Sequence, residues 1–387
     1  MESRIEKLEN DVKALQAENS YLKTEILNLK TVIESLKKTN EEYNKRFAFL
    51  EQNDKNAQIQ KKLTNSPKID VKHDHKDWVT TLCFVAGSKV LTGSKDCSIK
   101  CINIDEDEEK PVLFTINNAH DGEIQYILKL KKNEIVSTGE DGTIKRWSIN
   151  IDYSFEKDIQ RYKLLEVFQI NGDTRVHGSA HKIIKLNNGD LCSCGKDSTV
   201  KFWRYNANEN AYQNYQILKC DAEYVQAVLE LDDDKLVAGG WHHTQFFDIK
   251  NFKSETSIKD TFTEHADSMI RMGDKLICCG WGIFIIDIKT QTLIKTIQIE
   301  SEAEEGIYCL APINDNMIIC GGNLRTIDIY DLNSYEKIAS RPVEDEFIFD
   351  VKYDHCGYMF SGSKNVFGYI LNELVDDKGD SSDEIED

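Results

Sequence analysis

The chain has 387 residues, of which 48 are basic and 67 acidic, so its formal net charge is −19. Such acidity argues against a nucleic-acid-binding surface, which needs a basic face. No apolar run reaches the roughly 18–20 residues that cross a membrane, and the first residues lack the apolar core of a signal peptide. The 11 cysteines include no C-x-x-C pair. We therefore predict an intracellular, cytoplasmic protein in a reducing compartment, with cytoskeletal association as an alternative.

Composition divides the chain into four parts. Residues 1–63 contain no Gly or Pro, whereas residues 68–373 hold all five Trp and all 11 Cys. Residues 64–67 include an Asn-Ser-Pro sequence, which ends a helix. Residues 374–387 are strongly acidic and are predicted to be disordered. We therefore expect a helix, a short linker, a large globular domain and an acidic tail.

Apolar residues in the first segment follow a seven-residue repeat. The a positions are Ile5, Val12, Asn19, Ile26, Ile33, Asn40 and Phe47. The d positions are Leu8, Leu15, Leu22, Leu29, Leu36, Tyr43 and Leu50. This spacing keeps one apolar seam along the helix and is typical of a left-handed coiled coil. β-Branched residues at a with Leu at d favour a parallel coil of two strands.

Polar residues along the seam indicate which partner the helix prefers. Asn19 and Asn40 occupy a positions, where each amide can pair with its own copy and set the register. In a parallel pair of identical helices, four g–e′ contacts join opposite charges: Arg4–Glu9, Glu18–Lys23, Glu25–Lys30 and Arg46–Glu51. We therefore predict a parallel homodimer through residues 1–63. A heterodimer and a helix folded back on its own domain are the alternatives.

A short motif of apolar or small residues followed by Gly recurs along the middle segment, about every 41–56 residues. It occurs at Val90–Ser94, Val136–Glu140, Cys192–Lys196, Val237–Gly240, Ile277–Gly280, Ile319–Gly322 and Phe360–Ser363. Each copy is preceded by a strand pattern, and most are followed by another. This period is typical of a four-stranded propeller blade, and such blades must stack because none buries both faces alone. The predicted fold class is thus an all-β seven-bladed propeller preceded by a long α-helical coiled coil, with six or eight blades as alternatives.

The second repeat carries His120, Ser137, Asp141 and Trp147. These four residues resemble the signature of the WD-repeat family. The resemblance implies a hydrogen-bonded tetrad that links the strands of one blade. The third repeat has the corresponding His177, Ser193, Asp197 and Trp203, and the first has His75, Thr92 and Asp96 with Ile102 in place of Trp. Repeats four to seven keep the glycines but lack the Asp and Trp.

Closure of a propeller requires its ends to join. A last strand is expected from Val366 to Leu371, which leaves the last blade without its outer edge. Residues Lys68–Val71 can supply that edge, and a closed ring removes a free edge that would invite aggregation.

Catalytic and metal-binding patterns are weak in this sequence. Residues 189–197 superficially resemble a phosphate-binding loop, but the glycine spacing is wrong and a strand follows instead of a helix. His73, His75 and Asp77 lie close together, but a metal needs three or four converging ligands. The cysteines lie within predicted strands, so we interpret them as small residues of the apolar core. We therefore expect no catalytic residues, no metal and no cofactor.

Large or charged residues stand at the turns between the second and third strands of the blades. In WD-repeat proteins this turn lies on the face around the central channel. The resemblance therefore implies that the turn residues lie on one surface, together with the residues that immediately precede the innermost strands. We call this set the turn face: Trp78, Lys95, Glu140, Lys196, Tyr224, Trp241, His242, Trp281, Tyr308, Arg325 and Lys364. Trp, Tyr and Arg dominate binding hot spots. Alternatively, Trp241 and Trp281 fill gaps in blades that lack the tetrad.

The function predicted from these features is a non-catalytic, dimeric scaffold or adaptor that presents propeller faces for protein–protein interaction. Two faces in one dimer would raise the avidity for a repeated partner. The alternatives are a structural subunit of a cytoskeletal or ciliary assembly and a substrate-recognition subunit of a ubiquitin ligase. The sequence does not identify the protein partners.

Overall fold

A computed structural model describes residues 2–65, 68–71, 74–104, 112–151, 161–259, 268–299, 306–354, 357–362 and 366–369. The chain divides into two compact units, Met1–Gln58 and Ile59–Asp387. The first unit is the greater part of one α-helix, α1 (Glu2–Asn65). The second unit contains the end of this helix and all the strands. The predicted acidic tail at 374–387 and Lys364 lie outside the described residues.

The coiled coil of the predicted fold class is wrong for this structure. Helix α1 is a single helix, and its seam is open to solvent: Val12, Leu15 and Ile33 are 50%, 64% and 50% exposed. A coiled coil would bury these a and d positions. Asn19 and Asn40 are exposed as well. The helical part of the fold is therefore corrected to a single α-helix.

The end of α1 belongs to the second unit, and the helix extends two residues into the linker predicted at 64–67. The helix continues to Asn65, and its last apolar residue, Leu63, is fully buried in a cluster that includes Ile329, Ala339 and Phe367. Ile59, one helical turn earlier, packs against the same cluster. Because residues four apart lie on one side of a helix, this pair forms a short apolar face that covers the sheet.

The strands form seven four-stranded antiparallel sheets, which we number as blades 1–7. Blades 1 to 3 are β2 (Val79–Ala86), β3 (Lys89–Ser94), β4 (Ile99–Asn103), β5 (Val112–Ile116); β6 (Ile124–Lys131), β7 (Glu134–Gly139), β8 (Ile144–Ile149), β9 (Tyr162–Val167); and β10 (Ala180–Lys185), β11 (Leu191–Gly195), β12 (Thr199–Asn206), β13 (Ala211–Lys219). Blades 4 and 5 are β14 (Val225–Asp232), β15 (Lys235–Gly240), β16 (His243–Asp248), β17 (Lys253–Lys259); and β18 (Met269–Met272), β19 (Lys275–Cys279), β20 (Gly282–Asp287), β21 (Thr292–Gln298). Blades 6 and 7 are β22 (Ile307–Asn314), β23 (Met317–Gly322), β24 (Thr326–Asp331), β25 (Glu336–Pro342); and β26 (Ile348–Asp354), β27 (Gly357–Gly362), β28 (Val366–Tyr369) with β1 (Lys68–Val71).

The first strands of the blades form a closed ring. Strands β2, β6, β10, β14, β18, β22 and β26 contact one another in this cyclic order, and β26 returns to β2. All seven line one cavity of about 240 Å³ on the axis of the ring. This arrangement is a β-propeller with a central channel.

Blade 7 is completed from both ends of the globular region. Strand β1 pairs antiparallel with β28, and the register places Lys68 opposite Tyr369 and Val71 opposite Val366. This confirms the predicted use of Lys68–Val71 as the outer edge. The closure joins residues about 300 positions apart in the chain, and β1 covers the edge of β28 that would otherwise be unpaired.

Stacking explains why the second strand of a blade is more deeply buried than its outer strand. Strand β11 is buried along its whole length, whereas the outer strand β17 is largely exposed. A strand whose two faces are both covered does not show the alternation of apolar and polar residues that is seen in a half-exposed strand. The glycine that ends such a strand has a steric role: a Cβ added at Gly240 or at Gly195 would collide with the carbonyl oxygen of Tyr224 or of Ser179, respectively. The recurrent Gly therefore permits a close approach between backbone segments.

Candidate protein-binding face

One backbone hydrogen bond recurs on the turn face and sets its pairs of neighbours. The N–H of Lys95 donates to the Trp78 carbonyl at 2.9 Å, and the N–H of Trp241 donates to the Tyr224 carbonyl at 3.0 Å. Equivalent bonds join Glu140 to Glu123, Lys196 to Ser179 and Asn323 to Gly306. In each case a turn residue after the second strand binds the residue just before the first strand. Side chains from these two positions therefore lie together at one end of the channel.

Four aromatic rings from three blades form a cluster on the turn face. The Trp78 ring lies 5.1 Å from that of Phe347 and 5.3 Å from that of Phe349, with interplanar angles below 30°. Tyr308 stacks on the same two Phe rings at 6.4 and 6.2 Å. Trp78, Phe347 and Phe349 are half-buried, whereas Tyr308 is only 8% exposed and lies beneath them. We call these four residues the aromatic cluster.

Sequence reasoning missed two members of the aromatic cluster, Phe347 and Phe349. The signal was available, because Phe347 immediately precedes an innermost strand, as Trp78 and Tyr224 do. Two Phe residues two positions apart inside an acidic stretch also share one side of an extended chain. Phe349 and Tyr308 line the channel as well, so the cluster is continuous with the cavity.

Lys95 connects the aromatic cluster to the charged part of the turn face. Its ammonium group lies 4.4 Å above the Trp78 ring and 3.4 Å from the Glu123 carboxylate. Glu123 itself is half-buried, and burial together with the neighbouring Glu140 and Asp77 raises its pKa. The ammonium is therefore held between an aromatic ring and a carboxylate, an arrangement that stabilises a cation.

The remaining predicted residues of the turn face lie farther around the ring. Trp281 is 60% exposed, and Trp241 is half-buried with its ring edge-on to Tyr224 at 4.2 Å. Glu140, Lys196, His242 and Arg325 are exposed. Lys196 lies 3.9 Å from Glu140, and Arg325 lies 3.6 Å from Glu346. The structure thus places Trp281 in solvent, whereas Trp241 packs on its neighbour.

The tetrad of blade 2 is held around the Ser137 hydroxyl. Trp147 Nε1 donates to Ser137 Oγ at 2.9 Å, and His120 Nε2 lies 2.7 Å from the same oxygen. His120 Nδ1 lies 3.1 Å from the Asp141 carboxylate. A carboxylate can only accept, so Nδ1 carries the proton and Ser137 donates to Nε2. Each polar group inside this apolar stack is therefore satisfied.

Blade 3 repeats this arrangement and blade 1 keeps part of it. His177 Nε2 and Trp203 Nε1 each lie 2.9 Å from Ser193 Oγ, and His177 Nδ1 lies 2.9 Å from Asp197. In blade 1, His75 lies 2.8 Å from Thr92 and 3.0 Å from Asp96.

The ionisable members of these tetrads have shifted pKa values. Burial lowers the pKa of His120 and of His177. Burial opposes the charged form of the Asp141 carboxyl as well, but hydrogen bonds from His120 and two backbone amides outweigh it and hold its pKa below the usual range. A neutral imidazole bound to an ionised carboxylate is a structural link between strands in this setting, because all its polar atoms are engaged within the blade.

The channel contains polar side chains that the sequence did not single out. Its lining includes His181, Lys182 and Lys352. Lys352 forms an ion pair of 3.1 Å with Asp350, which also accepts hydrogen bonds from blade 1. His181 Nε2 is buried without a hydrogen-bond partner among the described residues, and burial lowers the pKa of this imidazole to about 3. The imidazole is therefore neutral at physiological pH.

Other reactive groups are engaged in packing. No cluster of three His, Cys, Asp or Glu side chains within the described ranges could hold a metal ion; His73 lies outside those ranges. Burial raises the pKa of the Cys83 thiol to about 11 and of Cys278 to about 12. Such thiols remain protonated, whereas a nucleophilic cysteine needs its thiolate.

Comparison with known proteins agrees with this geometry. Residues 67–103 match the family described as WD domain, G-beta repeat. The chain is also similar to two proteins named ribosome biogenesis protein YTM1: 23% identity over 163 residues with that of Debaryomyces hansenii, and 25% over 139 residues with that of Kluyveromyces lactis. The matched parts cover 37% and 35% of this chain and 32% and 29% of those relatives. The chain thus spans about a third of the length of the curated relatives it matches.

Together, the ring of sheets and the matched segment define a β-propeller in which residues 67–103 match a WD repeat, a fold suited to protein–protein interaction. No helix in the described part of the chain is long and apolar enough to cross a membrane.

Proposed function

We propose that this chain is a non-catalytic scaffold or adaptor that binds a protein partner through its turn face. The observation that carries the proposal is the aromatic cluster, in which three separate blades bring Trp78, Phe347, Phe349 and Tyr308 to one mouth of the channel. Half-buried aromatic rings are the residues that most often provide binding energy at interfaces. Their framework is rigid, so little ordering is needed on binding.

The exposed Trp281 extends this proposed interface around the ring. A Trp with 60% of its surface in solvent contributes little to the stability of the fold. Burial of the indole against a partner would remove a large apolar surface from water. Trp281 therefore provides a position where binding can be separated from folding.

The experiment compares Trp281→Ala and Phe347→Ala with Ile217→Ala, a control in which an apolar residue that is 43% exposed is removed from the outer strand β13. Each variant is expressed in the native cell, and crosslinking mass spectrometry identifies the captured proteins. We expect the first two variants to lose partners that the control retains, with melting temperatures close to that of the unchanged protein. Retention of the full set of partners by both aromatic variants would refute the proposal.

The dimeric state is a separate part of the proposal. Seam residues of α1 such as Leu15, Leu29 and Leu36 are at least 60% exposed, which leaves an apolar stripe that a second copy can cover. Sedimentation at micromolar concentration should show a dimer. A monomer would contradict this part alone.

A second candidate function comes from the similarity to ribosome biogenesis proteins. A scaffold of this kind would hold protein components together during particle assembly. Sucrose-gradient sedimentation of cell extracts tests this candidate, because an assembly factor co-migrates with precursor particles. Migration with the free protein pool alone would leave the scaffold proposal intact and exclude this role.

A further inference from the structure

Lys95 occupies a cation site built from other parts of the turn face. Its ammonium lies 4.4 Å above the Trp78 ring and 3.4 Å from Glu123, which belongs to the neighbouring blade. The Trp78 ring is itself supported from behind by Phe347 and Phe349. An aromatic face beside a carboxylate is the environment in which Lys and Arg side chains are bound across protein interfaces.

The charges around this site are unfavourable for an acidic partner. Glu140 and Asp77 both lie near Glu123. Of the predicted cations on the turn face that the structure describes, Lys95, Lys196 and Arg325 each have a Glu carboxylate within 4 Å. The chain as a whole carries a net charge of −19. Both the local and the long-range field therefore attract basic segments.

We infer that the Trp78 ring and the Glu123 carboxylate bind an Arg or Lys side chain from a basic segment of the protein partner, and that Lys95 is an intramolecular competitor for the same position. This inference rests on the proposed function, because it specifies the chemistry of the partner at the turn face. In the free protein, Lys95 neutralises Glu123 and covers the indole. When a partner binds, the Lys95 side chain moves away and the incoming cation takes its contacts.

The inference makes an unusual prediction for Lys95. If Lys95 itself contacted an acidic partner, its removal would weaken binding. If it competes with a basic partner, its removal leaves both the ring and the carboxylate open, and binding becomes tighter. The sign of the change therefore distinguishes the two cases.

The test uses a fluorescein-labelled eight-residue peptide of alternating Arg and Ser, and a matched peptide with Glu in place of Arg. Binding to the full chain is measured by fluorescence anisotropy at physiological salt. We expect Lys95→Met to bind the Arg peptide about three- to tenfold more tightly than the unchanged protein. The control is Lys163→Met on the exposed outer strand β9, which makes the same change in net charge away from the site and should bind as the unchanged protein does.

Glu123→Gln provides a second variant that leaves the aromatic cluster in place. It should weaken binding of the Arg peptide severalfold, and thermal melting checks that it remains folded. The inference is overturned if the Arg peptide fails to bind, if Lys95→Met binds it no more tightly than Lys163→Met does, or if the Glu peptide binds better. Loss of cellular partners in the Phe347→Ala variant would still support the proposed function in each of those cases.

Discussion

The side-chain amide of Gln60 forms two hydrogen bonds with the backbone of Ser340. Gln60 Nε2 donates to the Ser340 carbonyl at 2.9 Å, and Gln60 Oε1 accepts from the Ser340 N–H at 2.8 Å. Ser340 lies on β25, the outer strand of blade 6, so the amide of a helical residue takes the place of a neighbouring strand. Arg341 Nη1 also donates to the Leu63 carbonyl at 2.6 Å, which satisfies one of the free carbonyls at the helix end.

Removal of this amide should weaken the propeller. We expect Gln60→Ala to lower the free energy of unfolding by about 1–2 kcal/mol, because it leaves the Ser340 N–H and carbonyl without these bonds. Urea unfolding of the full chain measures the change. Gln16→Ala, at an exposed position of the same helix, should stay within about 0.5 kcal/mol of the unchanged protein. Equal effects of the two substitutions would mean that the pair contributes nothing.

The tetrad of blade 2 should be more sensitive to loss of its hydroxyl than the incomplete set of blade 1. Ser137→Ala leaves the buried Trp147 N–H and His120 Nε2 without their common partner, so we expect a loss of about 2–4 kcal/mol. Thr92→Val removes a hydroxyl that has no Trp partner, because Ile102 stands in that position. Its effect should be smaller. Chemical denaturation of both variants compares them, and a larger loss for Thr92→Val would contradict the prediction.

The glycine at the end of β15 should not tolerate a methyl group. Gly240→Ala places its Cβ against the carbonyl of Tyr224, so the strand must shift, and we expect a loss of about 1–3 kcal/mol. Gly178→Ala is the matched control, since the nearest atoms to its Cβ are 3.6 Å away. Differential scanning calorimetry should show a lower melting temperature for Gly240→Ala alone. Equal melting temperatures for the two variants would be inconsistent with the close approach.

The stability of the propeller should fall as the pH falls below about 6.5, in part because of His181. Burial lowers the pKa of this imidazole in the folded state to about 3, whereas an unfolded His has a pKa of about 6.5. Between these values the unfolded chain binds a proton that the folded protein does not, so unfolding becomes easier by about 1.4 kcal/mol per pH unit.

Urea unfolding between pH 6 and 4.5 measures this dependence. His181→Gln removes the titrating group and should flatten the slope by that amount, while the acidic residues contribute equally to both proteins. Identical slopes for the variant and the unchanged protein would show that His181 is accessible to protons in the folded state.

Much of the local structure could be predicted from periodic patterns. The seven-residue repeat of residues 5–50 indicated a helix, and a helix forms there. The recurrent Gly motif indicated blades, and His120, Ser137, Asp141 and Trp147 lie within hydrogen-bond distance, as the resemblance to the WD-repeat family implied. These features depend on residues close together in the chain or on one blade, where strand geometry alone brings side chains together.

Two kinds of contact were not predictable in this way. Periodicity shows that a helix has an apolar seam but not what covers it, so the coiled coil was inferred where the structure has a single helix with an open seam. The docking of Leu63 on blade 6 depends on residues about 270 positions away in the chain. No local pattern specifies such a pairing, because it depends on where the closed ring brings blade 6.

The amino-acid sequence alone accounts for the helix and the strands, since short-range periodicity and steric limits at Gly decide them, and the family resemblance implied the tetrads. Only the folded ring places Phe347 and Phe349 against the Trp78 ring. It also places Lys95 between the Trp78 indole and the Glu123 carboxylate, and it arranges seven strands around one cavity. The physical reason is that ring closure brings the first and last blades together, so residues at opposite ends of the propeller become neighbours only after all the blades have stacked.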